Sequence, residues 1–436
     1  MNTLATELNS RLNGTLCGDL LSAFGKRMYF PKGIVAQSAE AKTQATLYNA
    51  TVGQAFKDGE AMHLTSIYDE FTKKTLKVNQ IFTYAPGGGE PVLRDLWKED
   101  MLSKNPGLVG KKTSRPIVTA GLTHAISLVL RMYMDSSDTL ILPSLFWDNY
   151  DLILSENVGA QMDTFQFYDA SGKHFNTEGL RACIQQQKSE KIVLLLNFPN
   201  NPTGYTPTNA EMHAIAQVID EEANNGKKII VVSDDAYFGL FYEKDTAKES
   251  LFALLADRNP NVLAIKGDAA TKEAMVWGFR IGFLTFSSKG MTDDQYEALE
   301  KKFMGAIRCS VSNCDKPGQN LLITALKGRS QFLHDKEVAR LEMEGRYNVL
   351  HQTLQTKNNE DCLVPLPFNS GYFMSFMCKG EPEELRKYLL SKYHIGAINI
   401  MDKVLRIAYC SVEQDKIADL INKLYQAAGE LWNEKN

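Results

Sequence analysis

The chain has 436 residues, 44% hydrophobic and 23% charged, with a formal net charge of −4. That length accommodates two domains, or one large domain with a smaller companion. The near-neutral balance gives no electrostatic reason to expect nucleic acid or an anionic membrane as a partner, and the wholly apolar runs, such as Ile192 to Leu196, are far too short to span a bilayer.

In chain order, the N-terminus lacks a basic start and an apolar core, so no secretory signal is expected. Val118-Thr-Ala-Gly121-Leu-Thr123-His-Ala125 precedes a helix from Ile126 to Met132. Thr139 to Leu142, Ile192 to Leu196, Ile229 to Val232 and Val262 to Ile265 read as buried strands. Between two of them, Thr208-Asn-Ala-Glu211 is a capping box. It opens a helix whose apolar face is Met212, Ile215, Val218 and Ile219, and Asn224-Asn-Gly226 stops it. Strand and helix in alternation imply a mostly parallel sheet with helices on both faces, a three-layer α/β/α domain. After about residue 325 the pattern changes. A long helix from Phe332 to Leu354, a helix near Leu385 to Leu390, a strand around Val404 to Ala408 and a final helix from Gln414 give an α+β layout. The expected division is an N-terminal arm over 1–49, a large domain over 50–325 and a C-terminal small domain over 326–436. The arm contributes to the small domain.

Seven cysteines, at 17, 183, 309, 314, 362, 378 and 410, are scattered and form no C-x-x-C pair. Reduced, mostly buried thiols in a cytoplasmic protein are expected. The seven histidines show no metal-ligand spacing, so no metal is expected. Gly87 to Gly89 lack dinucleotide-fingerprint spacing, and Gly110-Lys-Lys-Thr113 lacks the first glycine of a P-loop.

Ligands of open parallel sheets bind beyond the carboxyl ends of the strands, and the unusual residues of this chain fall there. Asn197-Phe-Pro-Asn-Asn201-Pro-Thr-Gly204 follows one strand, Ser233-Asp234-Asp-Ala-Tyr237 the next, and Asp268-Ala-Ala-Thr-Lys272 through Arg280-Ile-Gly282 the last. Each has an ordinary reading as a turn, a cap or a surface loop. Together they offer a lysine able to form a Schiff base with an aldehyde cofactor and an arginine able to clamp its phosphate.

With these segments in order, the sequence resembles the fold-type I pyridoxal-phosphate enzymes, most closely the aspartate aminotransferase family (class I/II aminotransferases). The resemblance runs from about Tyr48 to Ser411 and rests on N-P-T-G, D-x-A-Y and K-x7-R-x-G. It implies that Lys272 holds pyridoxal 5′-phosphate and moves the proton. It implies that Asp234 pairs with the ring nitrogen, that Tyr237 and Asn201 bond the 3′-oxygen, and that Arg280, Thr123 and the N–H groups of Leu122 and Thr123 hold the phosphate. Trp147, with Phe146 as the alternative, would lie against the ring. Tyr84, in Tyr-Ala-Pro-Gly-Gly-Gly89, would reach the phosphate of a neighbouring subunit, which implies a homodimer with shared sites. Arg406 would grip the substrate α-carboxylate and Gly53 would lie over the substrate. Arg308, in Ile307-Arg308-Cys-Ser-Val-Ser312-Asn313, either binds a substrate side-chain carboxylate or is an exposed arginine without a ligand. Ala269 stands where the family commonly has a phosphate-binding serine, and Thr271 is a nearby hydroxyl. Lys266 is the rival lysine, without the arginine and glycine spacing.

The activity implied is amino transfer between an L-amino acid, of the aspartate, glutamate or aromatic kind, and a 2-oxo acid. A β-lyase or a synthase would use the same cofactor residues. An effector-sensing regulator would need a DNA-binding module, for which the chain before Tyr48 is too short.

Overall fold

The computed structural model describes residues 2–29, 33–72, 74–357, 362–401 and 403–432. A seven-stranded sheet lies at its centre. The strands are β1 (Ile117–Thr119), β2 (Thr139–Pro143), β3 (Gln161–Phe165), β4 (Lys191–Asn197), β5 (Lys228–Asp234), β6 (Val262–Ala269) and β7 (Gly282–Ser287). Their spatial order is β1-β7-β6-β5-β4-β2-β3. β7 is antiparallel to both neighbours, and the other pairings are parallel.

Strand periodicity explains why the middle strands read as unbroken apolar runs. Ile229 and Val231 of β5 join one apolar layer, and Ile230 and Val232 join the other. In β4, Ile192, Leu194 and Leu196 face the first layer, Val193 and Leu195 the second. Both faces are covered, so no polar alternation survives. Each such side chain stabilises the fold by about 1.5–3 kcal/mol on burial.

The helices that bear on the site are α1 (Ile34–Gln44), α2 (Leu122–Tyr133), α3 (Asn209–Asn224), α4 (Asp293–Ser310), α5 (Arg329–Gln355) and α6 (Ile417–Trp432). The capping box of α3 is formed: Thr208 Oγ1 accepts from the Glu211 N–H at 3.2 Å, and Glu211 Oε2 accepts from the Thr208 N–H at 2.7 Å. α2 starts one turn earlier than its apolar pattern indicates. Gly121, at φ 84°, turns the chain from β1 directly into the helix. α6 starts at Ile417, later than expected, because Gln414–Lys416 forms a 3₁₀ turn. The helix expected near Leu385 is Pro382–Tyr388, followed by a wider π turn at Leu389–Tyr393.

A second sheet contains β8 (Leu363–Pro365), β9 (Phe373–Cys378), β10 (Ile398–Ile400) and β11 (Val404–Ala408). Its order is β8-β9-β11-β10, antiparallel throughout. Leu350 and Leu354 of α5 and Leu420, Ile421 and Leu424 of α6 pack into its core. The N-terminal segment joins this part of the molecule, since Tyr48–Asn49 pairs in parallel with Ile395–Gly396.

Five of the six cysteines with described side chains are buried and Cys309 is exposed. The Cys17 side chain lies outside those described. Among the described residues, no helix is long and apolar enough to cross a membrane.

Candidate active site

The register of the large sheet aligns the expected site residues. Asn197 pairs with Asp234 across β4 and β5, and Asp234 with Gly267 across β5 and β6. The carboxyl ends of three strands therefore reach one edge, where α2 also begins. A cavity of about 390 Å³ opens there. Leu122, Thr123, Trp147, Asn201, Asp234, Tyr237, Lys272, Arg406 and Gly53 all line it. Of the two aromatics, Trp147 lines the cavity and Phe146 does not.

Asp234 ends β5 and is 3% exposed. Its Oδ2 accepts from the Tyr150 hydroxyl at 2.5 Å. Its Oδ1 accepts from the Ala236 N–H at 3.0 Å and from Asn197 Nδ2 at 3.2 Å. Burial raises this carboxyl above the usual range, against the opposing pull of these hydrogen bonds and of Lys272. A cationic N–H placed against it would restore the charged form.

Lys272 lies on the helical turn Ala270–Glu273, directly after β6. The residue is half-buried, and its Nζ sits 4.8 Å from the centroid of the Tyr237 ring. Burial pulls its ammonium down to about 8, opposed by Asp234 and assisted by Arg280. Burial also raises the Tyr237 hydroxyl well above its ordinary value.

Arg406, on β11, is almost wholly buried. Its Nη1 donates to Asn201 Oδ1 and its Nη2 to the Thr51 carbonyl, both at 2.9 Å. The guanidinium lies 4.3 Å from the Phe373 ring centroid. Burial pulls it down to about 10. Gly53 is held against the same ring, where an added Cβ would come within 2.5 Å of Phe373 Cζ.

Arg280 does not line the cavity directly. It is exposed and left-handed, at φ 54°, and its guanidinium covers Gly121 at the start of α2. A Cβ at Gly121 would meet Arg280 Nη2 at 2.6 Å, and the Gly121 N-cap of α2 carries no side-chain hydrogen bond. Open N–H donors of a helix beside a guanidinium suit a phosphate. The residues present thus fit a phosphorylated cofactor that bears a ring nitrogen.

Three expected residues stand apart. Tyr84 is 86% exposed and Arg308 is exposed, with its Nη1 donating to Ser312 Oγ at 2.6 Å; neither lines the cavity. Thr271 is buried and does not line it either, so the nearby hydroxyl expected to accompany Ala269 is not at the cavity wall. Tyr150, Asn197, Phe373, Thr51, Val52, Ile34, Ser38 and Ala236 complete the lining and had no role in the sequence reading. Two of them carried a signal. Tyr150 ends the Trp147-Asp-Asn-Tyr150 segment, and Asn197 opens the segment from Asn197 to Gly204. Phe373, Ile34 and Ser38 lie too far away in sequence for any local spacing to reveal them.

Fold and site together define an α/β protein with a lysine and a carboxylate facing one cleft at the ends of parallel strands. Residues 51–424 match the family described as Aminotransferase class I and II. The chain belongs to that family, whose members use pyridoxal 5′-phosphate. It is 27% identical over 282 residues to an aspartate aminotransferase of Bacillus subtilis, a match covering 65% of this chain and 65% of that protein. It is also 27% identical over 201 residues to a probable aspartate/prephenate aminotransferase of Aquifex aeolicus, covering 46% of this chain and 48% of that one. The chain thus spans less than two thirds of the length of these curated relatives. A crystal structure of an aminotransferase from Anaerococcus prevotii superposes with a TM-score of 0.84 at 23% identity, covering 94% of this chain and 99% of that one, and shares the fold.

Proposed function

We propose that the protein is an aminotransferase that moves an amino group between an L-amino acid, of the aspartate, glutamate or aromatic kind, and a 2-oxo acid. The observation that carries this reading is the convergence of Lys272, Asp234 and Arg406 on one cavity. Pyridoxal 5′-phosphate, when bound, supplies an aldehyde for an amine and a ring that withdraws electrons. Asp234 would hold the proton on the ring nitrogen. Tyr237 and Asn201 would bond the 3′-oxygen, and Trp147 would lie against the ring. Arg280, Thr123 and the N–H groups of Leu122 and Thr123 would take the phosphate.

Arg406 pairs with the substrate α-carboxylate, and that grip fixes the direction of the Cα–H bond. The Nζ of Lys272 then takes the proton from Cα. Its depressed pKa, about 8, leaves a larger share of neutral amine near neutral pH than an ordinary lysine offers. Gly53 lets the chain lie close over the substrate.

The working form in this reading is a cytoplasmic homodimer. Tyr84 is exposed and contributes nothing to its own cavity, so the role implied for it belongs to the cavity of a second copy.

The test is spectroscopic. In the holoprotein, glutamate should convert the coenzyme to its amine form, and a 2-oxo acid should restore the starting spectrum. Release of pyruvate from an amino acid with a β leaving group, without that reversible conversion, would replace amino transfer with lyase chemistry.

A further inference from the structure

Resting on the amino-transfer reading, we propose that Glu273 is a positioning residue for Lys272, and that its pairing with Lys336 makes α5 a strut between the Lys272 turn and the strand that carries Arg406. Lys272 lies on a helical turn of four residues, Ala270–Glu273. The Ala274 N–H donates to the Ala270 carbonyl at 2.9 Å and the Val276 N–H to the Thr271 carbonyl at 3.0 Å, so this segment bonds largely to itself. Met275 then turns left-handed, at φ 53°. A helix this short is marginal by itself, and an anchor beside it decides where the Lys272 side chain points.

Glu273 supplies that anchor. Its side chain is 5% exposed, and one carboxylate oxygen, Oε1, meets two ammonium groups. One is Lys104 Nζ at 2.7 Å, from the helix Pro91–Lys104, and the other is Lys336 Nζ at 2.5 Å, from α5. Lys104 also pairs with Asp100 at 2.8 Å, and Asp100 with Arg329, at the start of α5, at 3.1 Å. Burial pulls the Lys104 ammonium down, but Glu273, Asp100 and Asp268 outweigh it and hold it above the ordinary value. Lys104 therefore stays charged at a pH where Lys272 titrates. Apolar packing is indifferent to direction, whereas a charged oxygen between two donors fixes one.

The same helix reaches the other half of the site. The buried Arg346 of α5 donates to the Cys410 carbonyl, just past the end of β11, and to the Phe56 carbonyl, both at 2.5 Å. From Lys336 to Arg346 the helix rises about 15 Å. It thus keeps a set distance between a contact beside the amine that takes the Cα proton and a contact beside the strand whose arginine grips the α-carboxylate. Each of these contacts is made within a single chain.

The test uses Lys336→Met, because Lys104 still pairs with Glu273 and no buried carboxylate is left alone. In the holoprotein it should lower the rate of coenzyme conversion at saturating amino acid by about ten- to a hundredfold, per bound coenzyme, and leave the half-saturating concentration within about twofold. Lys336→Arg, which keeps the pair, should restore most of the rate. Glu273→Gln should cost at least as much as Lys336→Met, and the two together no more than Glu273→Gln alone. In the apoprotein, covalent attachment of added coenzyme to Lys272, followed by absorbance, should slow about tenfold in Lys336→Met and recover in Lys336→Arg. A brace that only stabilises the fold predicts fewer folded molecules, each working at the wild-type rate. That result, a raised half-saturation at unchanged rate, or additive losses in the double variant would overturn the proposal. If no amino acid converts the coenzyme in the wild type, amino transfer falls, and the attachment rates still report on Glu273. Wild-type attachment and conversion in Lys336→Met remove the positioning role alone.

Discussion

Two lysines six residues apart, Lys266 and Lys272, occupy opposite electrostatic environments. Lys266 is fully buried within β6, and its Nζ is paired with both Asp235 and Asp268. Burial pulls its ammonium down, but the two carboxylates outweigh that and hold it above the ordinary value. Lys272, one turn beyond the strand, meets the same desolvation but makes no ion pair among the described residues, and falls to about 8. Burial alone therefore does not activate an amine; burial without a partner does. The paired lysine belongs to a buried network. Trp97 Nε1 donates to Asp268 at 3.3 Å, the Lys104 Nζ lies 4.8 Å from the Trp97 ring, and Lys104 pairs with Glu273 at 2.7 Å. Asp235 follows Asp234 and Glu273 follows Lys272, so one network braces the neighbours of both site residues.

The sharpest way to break this comparison is to remove each lysine in turn. Lys272→Ala should abolish covalent attachment of the coenzyme and lower kcat by on the order of 10⁴ or more. Lys266→Ala should keep the attachment but lose about 3–5 kcal/mol of stability in urea unfolding, because two buried carboxylates are left facing each other. Near wild-type turnover in Lys272→Ala would exchange the two assignments. Next in size, Asp234→Asn should cost about 10²–10³ in kcat. Tyr150→Phe, which removes one hydrogen bond to Asp234, should cost about 1.5–3 kcal/mol of that stabilisation, measured as kcat/KM.

A pH series sharpens the contrast further. In the apoprotein the folded pKa of Lys272 is about 8, against an ordinary lysine value of 10.5. Between these values the unfolded chain binds more protons, so stability should rise as pH increases from about 8 to 10.5. Below pH 8 the burial penalty is fully present. Lys272→Met should flatten this rise, and an unchanged slope would mean that the amine is not desolvated. The smallest expected effect concerns Arg308→Ala. It should change kcat/KM on aspartate and phenylalanine by the same factor, within about threefold. A selective loss on aspartate would give that arginine a part in substrate choice.

Much of the site was readable because its residues cluster at strand ends. Lys272, Asp234, Tyr237 and Asn201 sit directly after apolar runs that could only be buried strands. Three strands of the large sheet were not readable. β1 is three residues long, β3 (Gln-Met-Asp-Thr-Phe) is a polar edge strand, and β7 mixes glycine, threonine and serine into a buried position. β7 is also the antiparallel strand, and the Arg280-Ile-Gly282 motif conceals its start. Phe373 illustrates the other limit. Its local context is an ordinary strand, yet it stacks on Arg406 and confines Gly53, contacts that span 33 and 320 residues of chain.

The order of chemical groups along the chain was set by the sequence alone: which lysine, which acid, which arginine, and the alternating strands that carry them. Local spacing suffices there, because a strand end and the turn after it are short-range objects. Which of two buried lysines is unpaired, and which wall the N-terminal helix gives the cavity, came only from tertiary structure. Both depend on side chains brought together by packing, across 31 residues for Lys266 and Asp235 and across hundreds for the cavity wall, and desolvation is a property of that packing rather than of any segment.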